Sequence, residues 1–458
     1  MKWFDTHCHL QHPLFDADRD LVMKRLQLSQ MKLLCVSSDI ESSKQAINLA
    51  AEYPDDIYAA VGIHPSDTSG VVDFSELESL SCNQYVKAIG ETGLDFYHNH
   101  SSREDQYRSF LFHLELAKSK KLPVVLHARE SIKDVLDIIE PYIESVPMVW
   151  HCWSGSRKFL SAATERAAEM GLYFGISGMI TFDDQKGMRE LITRIPDRQL
   201  LLDSDAPYLQ PHPKISTHNE PVFCHRIADE LAKLRNVSVD DISRITTYNA
   251  VRFLNLSAES LPNTFVYPIR SSLYISLTTR CNNACVFCYR NRDYIVKGHN
   301  LNHDHEPSSQ EIIAALGDLS LWKEVVFCGL GEPTLRLDVL KETAAELKRL
   351  GKRVRLNTNG QANREHKRNI APELKGLVDV VSVSLNTANS EEYDKLCRPS
   401  LGEKGLEAAC EFVKSCLLVG LEVLCTAVEF PNVDTDAVKR LAESLGAVYR
   451  GRSFVDVG

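Results

Sequence analysis

Eight short apolar runs, with stretches of helical period between them, dominate the first half of the chain: Trp3 to His7, Leu33 to Ser37, Ala59 to His64, Val86 to Asp95, Val124 to His127, Val149 to Cys152, Tyr173 to Ser177 and Leu200 to Asp203. Segments such as Glu104 to Lys118 and Ser131 to Ile143 place apolar residues at helical spacing between the runs. That alternation is the mark of parallel strands joined by crossover helices. It predicts an α/β protein that begins with a (βα)8 TIM-type barrel.

A second alternation follows. Helical sequence runs through Glu220 to Leu234 and Ile242 to Leu254, and a stretch rich in Ser, Pro and Asn then precedes new strands near Leu273 to Thr278, Val325 to Cys328, Val354 to Thr358, Val380 to Leu385, Val423 to Ala427 and Ala447 to Tyr449. Six strands predict an open, partial (βα)6 barrel. The 458 residues exceed what one hydrophobic core organises. The boundaries expected are a first domain over 1–257, a linker over 258–267 and a second domain over 268–458.

The first barrel's strand ends carry chemistry. Asp5-Thr6-His7-Cys8-His9 closes the first run, and alternation along an extended segment turns His7 and His9 to the same side. His64, Glu91 with Asp95, His127, His151 and Asp205 end other runs. Active sites of such barrels gather at the C-terminal ends of the strands, so these residues can meet on one rim. A lone His64 is read most simply as a hydrogen-bonded structural residue, and Glu91 as a loop acid. At least five of eight strand ends bearing His, Glu or Asp is hard to obtain from packing alone. Nitrogen and oxygen donors without a thiolate motif favour Zn, Mn or Mg, and a shared carboxylate suggests two divalent metal ions.

The same residues carry a family resemblance. Phe4-Asp5-Thr6-His7-Cys8-His9-Leu10, Gly62-Ile63-His64-Pro65, Gly90-Glu91-Thr92-Gly93-Leu94-Asp95-Phe96-Tyr97, His127-Ala128-Arg129, His151-Cys152-Trp153-Ser154-Gly155 and Asp203-Ser204-Asp205-Ala206-Pro207-Tyr208 resemble the ordered motifs of the TatD family of metal-dependent deoxyribonucleases. The resemblance implies that His7, His9 and Asp205 hold one ion, that His127 and His151 hold the other, and that Glu91 bridges them. It makes Glu91 and Asp205 the catalytic carboxylates, with Asp95 and Arg129 in supporting roles. The chain departs from the family at two places: Asp203 stands where the family has Glu, and Ile215-Ser216-Thr217-His218-Asn219-Glu220-Pro221 lacks two arginines that the family carries. Arginine clamps phosphate bidentately, so their loss predicts a weaker hold on a DNA backbone.

In the second half, Cys281, Cys285 and Cys288 form C-x3-C-x2-C directly after an apolar strand. Three thiolates serve a cubane of four irons and leave one iron open. A structural zinc site closed by His299, His303 or His305 is the alternative. The spacing resembles the radical S-adenosylmethionine (SAM) superfamily, and Phe327-Cys328-Gly329-Leu330-Gly331-Glu332-Pro333-Thr334 looks like its Gly-Gly-Glu motif. The resemblance implies a 4Fe-4S cluster on the three cysteines and SAM held near Gly329, Gly331 and Glu332. Ser384 and Asn386, together with Asn357 to Gly360, stand where the family contacts SAM or its ribose. It further implies reductive cleavage of SAM to a 5'-deoxyadenosyl radical, with electrons from a donor such as flavodoxin or ferredoxin. The remaining cysteines are scattered and read as small core residues, with Cys397 a weaker candidate near the second site.

A net charge of −10, with 44% hydrophobic and 25% charged residues, argues against disorder and against a broadly basic nucleic-acid surface. Thirteen cysteines with three crowded together suit metal ligation in a reducing compartment better than a disulfide framework. No apolar stretch of membrane-spanning length and no signal-peptide pattern appear, so the expected location is the cytoplasm, with no membrane partner. The expected whole is a bifunctional enzyme: a hydrolase of DNA or another phosphodiester, joined to a radical SAM enzyme. Its alternatives for the first domain are hydrolysis of a non-nucleotide ester or amide, or a docking role beside the radical SAM domain.

Overall fold

The computed structural model describes the chain except residues 71–73, 99, 155–159, 258–260, 292, 431–432 and 454–458. Contacts divide it into two compact units, Met1–Ser260 and Leu261–Gly458.

In the first unit eight parallel strands follow one another around a ring: β1 (Trp3–Cys8), β2 (Met31–Val36), β3 (Ile57–Val61), β4 (Val86–Asp95), β5 (Val124–Arg129), β6 (Met148–Trp150), β7 (Tyr173–Ile176) and β8 (Leu200–Leu202). The first and last strands bring the ring near closure through Thr6 Oγ1, which donates to the Leu202 carbonyl at 2.8 Å, and through the Asp205 and His9 amides, which donate to the His7 and Ala206 carbonyls at 2.9 and 2.8 Å. Alternation sorts the side chains. Phe4, Leu34, Ala60, Ala88, Val125, Val149 and Leu201, from seven different strands, meet in one buried cluster that only the inside of a ring can assemble. Their neighbours Trp3, Leu33, Ala59, Val124 and Leu126 face outward against the helices.

The helices follow local rules. Asp39 and Ser238 cap Ile40–Glu52 and Val239–Phe253 with reciprocal capping boxes, and Ser102 caps Arg103–Lys120. Phe253 and Leu254, at the end of Val239–Phe253, pack into the same cluster as the barrel's interior residues.

The second unit is a seven-stranded sheet. In chain order its strands are β9 (Val266–Ile269), β10 (Ser272–Ile275), β13 (Glu324–Phe327), β14 (Val354–Thr358), β15 (Val380–Ser384), β16 (Glu422–Glu429) and β17 (Val448–Ser453), and they lie side by side in that order. A separate hairpin of β11 (Ile295–Val296) and β12 (His299–Asn300) stands apart from the sheet. The six strands from β10 onward are parallel, matching the sequence expectation, while β9 is an additional antiparallel edge paired to β10. Leu273, Ile275, Val325, Phe327, Leu356, Val381, Val383, Cys425 and Ala427 point from alternate positions into the helical layer.

Among the described residues no helix is long and apolar enough to cross a membrane.

Phe4 is fully buried where strands from around the ring converge. Phe4→Ala is expected to lower the stability of the first unit by about 3–5 kcal/mol, read from urea denaturation followed by circular dichroism.

Candidate functional site

The C-terminal ends of the first unit's strands bring together the six residues assigned from the sequence as metal ligands. Glu91, near the end of β4 and 4% exposed, is the hub. Its carboxylate lies 2.7 Å from His127 Nδ1 and 2.6 Å from His151 Nε2 on one oxygen, and 3.4 Å from His7 Nε2 on the other. His7 and His9 converge as expected, with their Nε2 atoms 3.2 Å apart. Asp205 closes that side at 3.5 Å from His9 and 3.8 Å from His7. Two sets result that could each hold an ion, His7 with His9 and Asp205, and His7 with Glu91 and His151.

Hydrogen bonds around the site decide which nitrogen of each imidazole is free. His9 Nδ1 lies 2.9 Å from the Val36 carbonyl, to which it can only donate, so Nε2 keeps its lone pair for the cluster. Asp95 Oδ2 receives His127 Nε2 at 3.1 Å, which leaves Nδ1 to face Glu91. Asp95 is itself fixed by His98 at 2.8 Å and by the amides of Tyr97 and His98. His64 is the opposite case. Its Nδ1 accepts from the Ser66 amide at 3.1 Å, so in the neutral ring Nε2 carries the hydrogen. That N–H points at His127 Nδ1, 3.2 Å away, and lies 3.8 Å from Glu91. His64 in its neutral form therefore presents a hydrogen to the cluster, although its atoms lie close enough to Glu91 and His127 to form a third candidate ligand set.

The electrostatics are those of a cation site. Burial alone would raise the Glu91 carboxyl, but His151, His64 and His127 hold it well below the usual carboxylate range. Burial likewise opposes charge on His127 and His151, and the neighbouring carboxylates overcome it, drawing both imidazoles toward protonation. Burial pushes His64 down to about 3 despite Glu91, which keeps it neutral. A buried carboxylate that gathers cationic imidazoles in this way will exchange those protons for a divalent ion, because the imidazoles and carboxylates that bear them are ligands once deprotonated. Among the described residues the buried Nδ1 of His7 has no hydrogen-bond partner, and His151 Nδ1 is 3.6 Å from Asp203 Oδ2, just beyond bonding range.

Two positions flagged in the sequence take definite roles. Asp203, fully buried, accepts from the amides of Cys152 at 2.7 Å and Asp205 at 3.1 Å. Gly175 makes room for it, since a Cβ there would come within 2.5 Å of its carboxylate. The segment from Ile215 to Pro221 is tied down by Gln210, which bonds the Ile215 amide at 2.6 Å and the Ser216 hydroxyl and His218 carbonyl at 2.7 Å. Its His218 pairs with Asp18 at 3.3 Å. At the rim, Arg129 stacks its guanidinium 4.4 Å from the ring of the exposed Tyr97, and Tyr208 is exposed as well. Gly155, the last residue of the fifth motif block, lies outside the described residues.

In the second unit the three cysteines sit half-buried on one loop beside the end of β10. Backbone pairing fixes that loop. Ala284 and Val286 donate to the carbonyls of Cys397 and Leu396 at 3.0 and 2.9 Å, and Ser400 donates back to Asn282 at 2.8 Å. This places Cys397 beside Cys285, a neighbour 112 residues away that spacing alone does not reveal. His299 bonds the Pro268 carbonyl at 3.0 Å and His305 bonds Glu311 at 2.8 Å. Among the described residues no set of three ligand atoms close enough for a single ion includes a cysteine, whereas a cubane spaces its thiolates on separate irons.

The Gly-Gly-Glu motif packs against the strand that leads into the cysteines. A Cβ on Gly331 would lie 2.1 Å from the Thr278 carbonyl, and Glu332 donates its amide to Arg280 at 2.9 Å. Glu332 Oε1 receives Thr334 twice and Thr358 once, at 2.7–3.0 Å, while Oε2 receives only the Asn359 amide at 2.8 Å. Ser384 ends β15 half-buried, and the Asn386 amide turns toward Cys397 Sγ at 3.4 Å and the Val428 amide.

With this geometry in place, comparison with known proteins is decisive. The model of TatD related DNases matches residues 4–255. The chain belongs to the TatD family. The radical SAM superfamily model matches residues 275–445, so the chain joins a TatD metal-dependent hydrolase domain to a radical SAM domain. Over 259 residues it is 36% identical to the 3'-5' ssDNA/RNA exonuclease TatD of Dickeya dadantii, covering 54% of this chain and 96% of that protein. It is 33% identical to YabD of Bacillus subtilis, an uncharacterised metal-dependent hydrolase, covering 56% and 99% respectively. The crystal structure of YJJV, a TatD homologue from Escherichia coli, superposes with a TM-score of 0.52 at 28% identity, covering 56% of this chain and 98% of that one. Membership in the TatD and radical SAM families implies divalent metals for the first unit and SAM with a 4Fe-4S cluster for the second.

Asp95 orients His127 without belonging to any of the three candidate ion sets. Asp95→Asn is expected to weaken divalent-metal binding about ten- to a hundredfold with the fold intact, measured by competition against a fluorescent chelator.

Proposed function

We propose that the chain is a bifunctional enzyme, a divalent-metal-dependent hydrolase of phosphodiester bonds in nucleic acid joined to a radical SAM enzyme that cleaves SAM reductively. The observation that carries the first half is Glu91, whose carboxylate has four imidazole nitrogens within 4 Å. His7, His9 and Asp205 are the residues to hold one ion, His127 and His151 the other, and Glu91 the shared ligand. Bound there, the ions supply Lewis acidity at the scissile phosphorus and lower the pKa of the attacking water.

The chain's own residues do the rest. Asp95 orients His127 through a direct hydrogen bond, and Asp203 lies beside His151 as a buried acid. The Nε2 hydrogen of His64 faces His127 Nδ1, and with that nitrogen engaged by a metal ion it would be the donor available to a phosphoryl or leaving oxygen. Asp205, the least buried of the clustered carboxylates at 14% side-chain exposure, is the acceptor for the water's proton. Arg129 on Tyr97, together with Tyr208, offers stacking faces and one cation at the mouth, which suits the bases and phosphate of an unpaired strand. The ssDNA/RNA exonuclease of Dickeya dadantii supports the same substrate class.

A second reading of the first unit has its own support. The segment from Ile215 to Pro221 carries no arginine, and Ser216, His218, Asn219 and Glu220 are engaged by Gln210, Asp18, the Ser204 and Tyr208 carbonyls and Arg25. A non-nucleotide ester or amide needs no phosphate clamp, and a panel of oligonucleotides, lactones and amides separates the two readings.

For the second unit, Cys281, Cys285 and Cys288 are the residues to hold the cluster, with Gly329, Gly331, Glu332, Ser384 and Asn386 grouped around SAM. A reduced cluster supplies the electron that splits SAM into methionine and a 5'-deoxyadenosyl radical. Glu332 Oε2 is placed to receive the ammonium of SAM, and the close packing of Gly331 lets backbone approach the ligand.

His127→Ala with His151→Ala is expected to abolish metal-dependent release of mononucleotides from single-stranded DNA, and full activity in a clean preparation would overturn the first site. Anaerobic reconstitution is expected to give a charge-transfer absorbance near 400 nm, as an order-of-magnitude position for a thiolate-bound cluster. Replacing Cys281, Cys285 or Cys288 by Ala should remove it, and a chain that takes up zinc but no iron would end the reading.

A further inference from the structure

The face of the second sheet turned away from its helices is unusual for a buried surface. Because Leu356, Val383, Cys425 and Ala427 point into the helical layer, their neighbours line the concave side. That side carries Leu424 and Val428, and with them a set of polar side chains: Ser276, Cys328, Asn357, Ser382, Thr426 and Arg452. Thr426 pairs in register with Arg450, and Val428 with Arg452, so both arginines of β17 share this face.

Three of its polar atoms lack partners. Ser276 is fully buried and Thr426 is 3% exposed, and neither hydroxyl finds a hydrogen bond. Arg452 Nε is buried and unpaired too. Of the other arginines on this face, Arg355 is neutralised by Glu324 at 2.8 Å and Arg450 is exposed, whereas Arg452 is half-buried and has no ion pair among the described residues. Arg452 is also close enough to act on Cys328 at the end of β13: burial raises that thiol, and Asn357, Arg452 and Arg355 oppose the rise. Cys328 precedes Gly329 of the Gly-Gly-Glu motif, and Ser276 lies against Gly329, since a Cβ there would come 2.2 Å from its hydroxyl. An uncompensated guanidinium with two idle hydroxyls, at the strand ends beside that motif, is built to receive acceptor oxygens that carry negative charge.

We propose that the concave face of the second unit binds a small substrate through an oxyanion, a carboxylate or a phosphate, held by Arg452 with the hydroxyls of Thr426 and Ser276. This rests on reading that unit as a radical SAM enzyme, and it names the chemical class of its second ligand. Hydrolysis of a phosphodiester, an ester or an amide adds water and leaves one product as an oxyanion. The ligand class therefore matches what the first unit's chemistry releases.

The test uses the full chain, reconstituted anaerobically with iron and sulfide and saturated with SAM. Inorganic phosphate and malonate are titrated calorimetrically into wild type, Arg452→Gln, Arg452→Lys and Thr426→Val. The difference between wild type and Arg452→Gln cancels whatever anion the first unit takes up. Binding of at least one probe should weaken on the order of ten- to a hundredfold in Arg452→Gln, the loss of a charge-assisted hydrogen bond. Arg452→Lys should stay within a few-fold of wild type, and Thr426→Val should fall between. SAM affinity by equilibrium dialysis should change less than about twofold in all three variants, which also reports that they are folded. Equal anion binding in wild type and Arg452→Gln overturns the proposal, as does a parallel fall in SAM affinity, which would assign Arg452 to SAM. A chain that assembles no cluster overturns instead the reading on which the proposal rests.

Discussion

A buried carboxylate among imidazoles is the constraint on which the first unit depends. Glu91 is removed from water, and an isolated carboxylate there would be expensive. What makes the position tenable is four histidines brought from the ends of β1, β3, β5 and the turn after β6. Each of those strands must therefore reach the same height on the barrel's rim. The backbone concedes space for this: Gly93 takes φ +143°, and a Cβ there would come within 2.0 Å of the His127 carbonyl. Any larger residue would push β5 and its histidine away from Glu91. The packing of β4 on β5 and the chemistry of the cluster are one requirement.

Much of this was legible in the sequence because buried parallel strands read as unbroken apolar runs. The eight runs correspond to the eight strands, and the donor residues at their ends meet where the fold rule places them. Edge structure was less legible. β9 was not anticipated as a strand, and its first two residues were assigned to the expected linker, because Val266–Ile269 follows a Ser- and Asn-rich stretch and contains Pro268, which has no amide hydrogen for a ladder. A proline is tolerated there because β9 is the edge of the sheet and pairs on one side only.

Side-chain roles that depend on backbone partners were the hardest to read. His64 lay at a strand end like its neighbours, but whether it ligates or donates turns on the Ser66 amide bound to its Nδ1, and no residue pattern encodes that bond. Cys397 is similar. Its place beside Cys285 follows from backbone hydrogen bonds between residues 282–286 and 396–400, which any side chains could make. Asp203 was visible only as a departure, a side chain one methylene shorter than the family's. The structure shows the shorter acid bonded to the amides of Cys152 and Asp205, in the space left by Gly175.

The two units solve one problem with opposite charge arrangements. In the first, carboxylates and imidazoles concentrate negative charge and lone pairs at the strand ends, an environment that takes a cation and brings an anionic substrate only through it. The chain's net charge of −10 offers no long-range attraction for a polyanion, so any hold on phosphate at the first site would have to be local. In the second, the strand ends near Cys328 carry a guanidinium without an ion pair and hydroxyls without a hydrogen bond among the described residues, the environment proposed to take an anion directly. A parallel sheet permits both because its carboxyl-terminal edge is where loops leave the core. Polar side chains there can be buried enough to matter, yet they are not needed to hold the strands together.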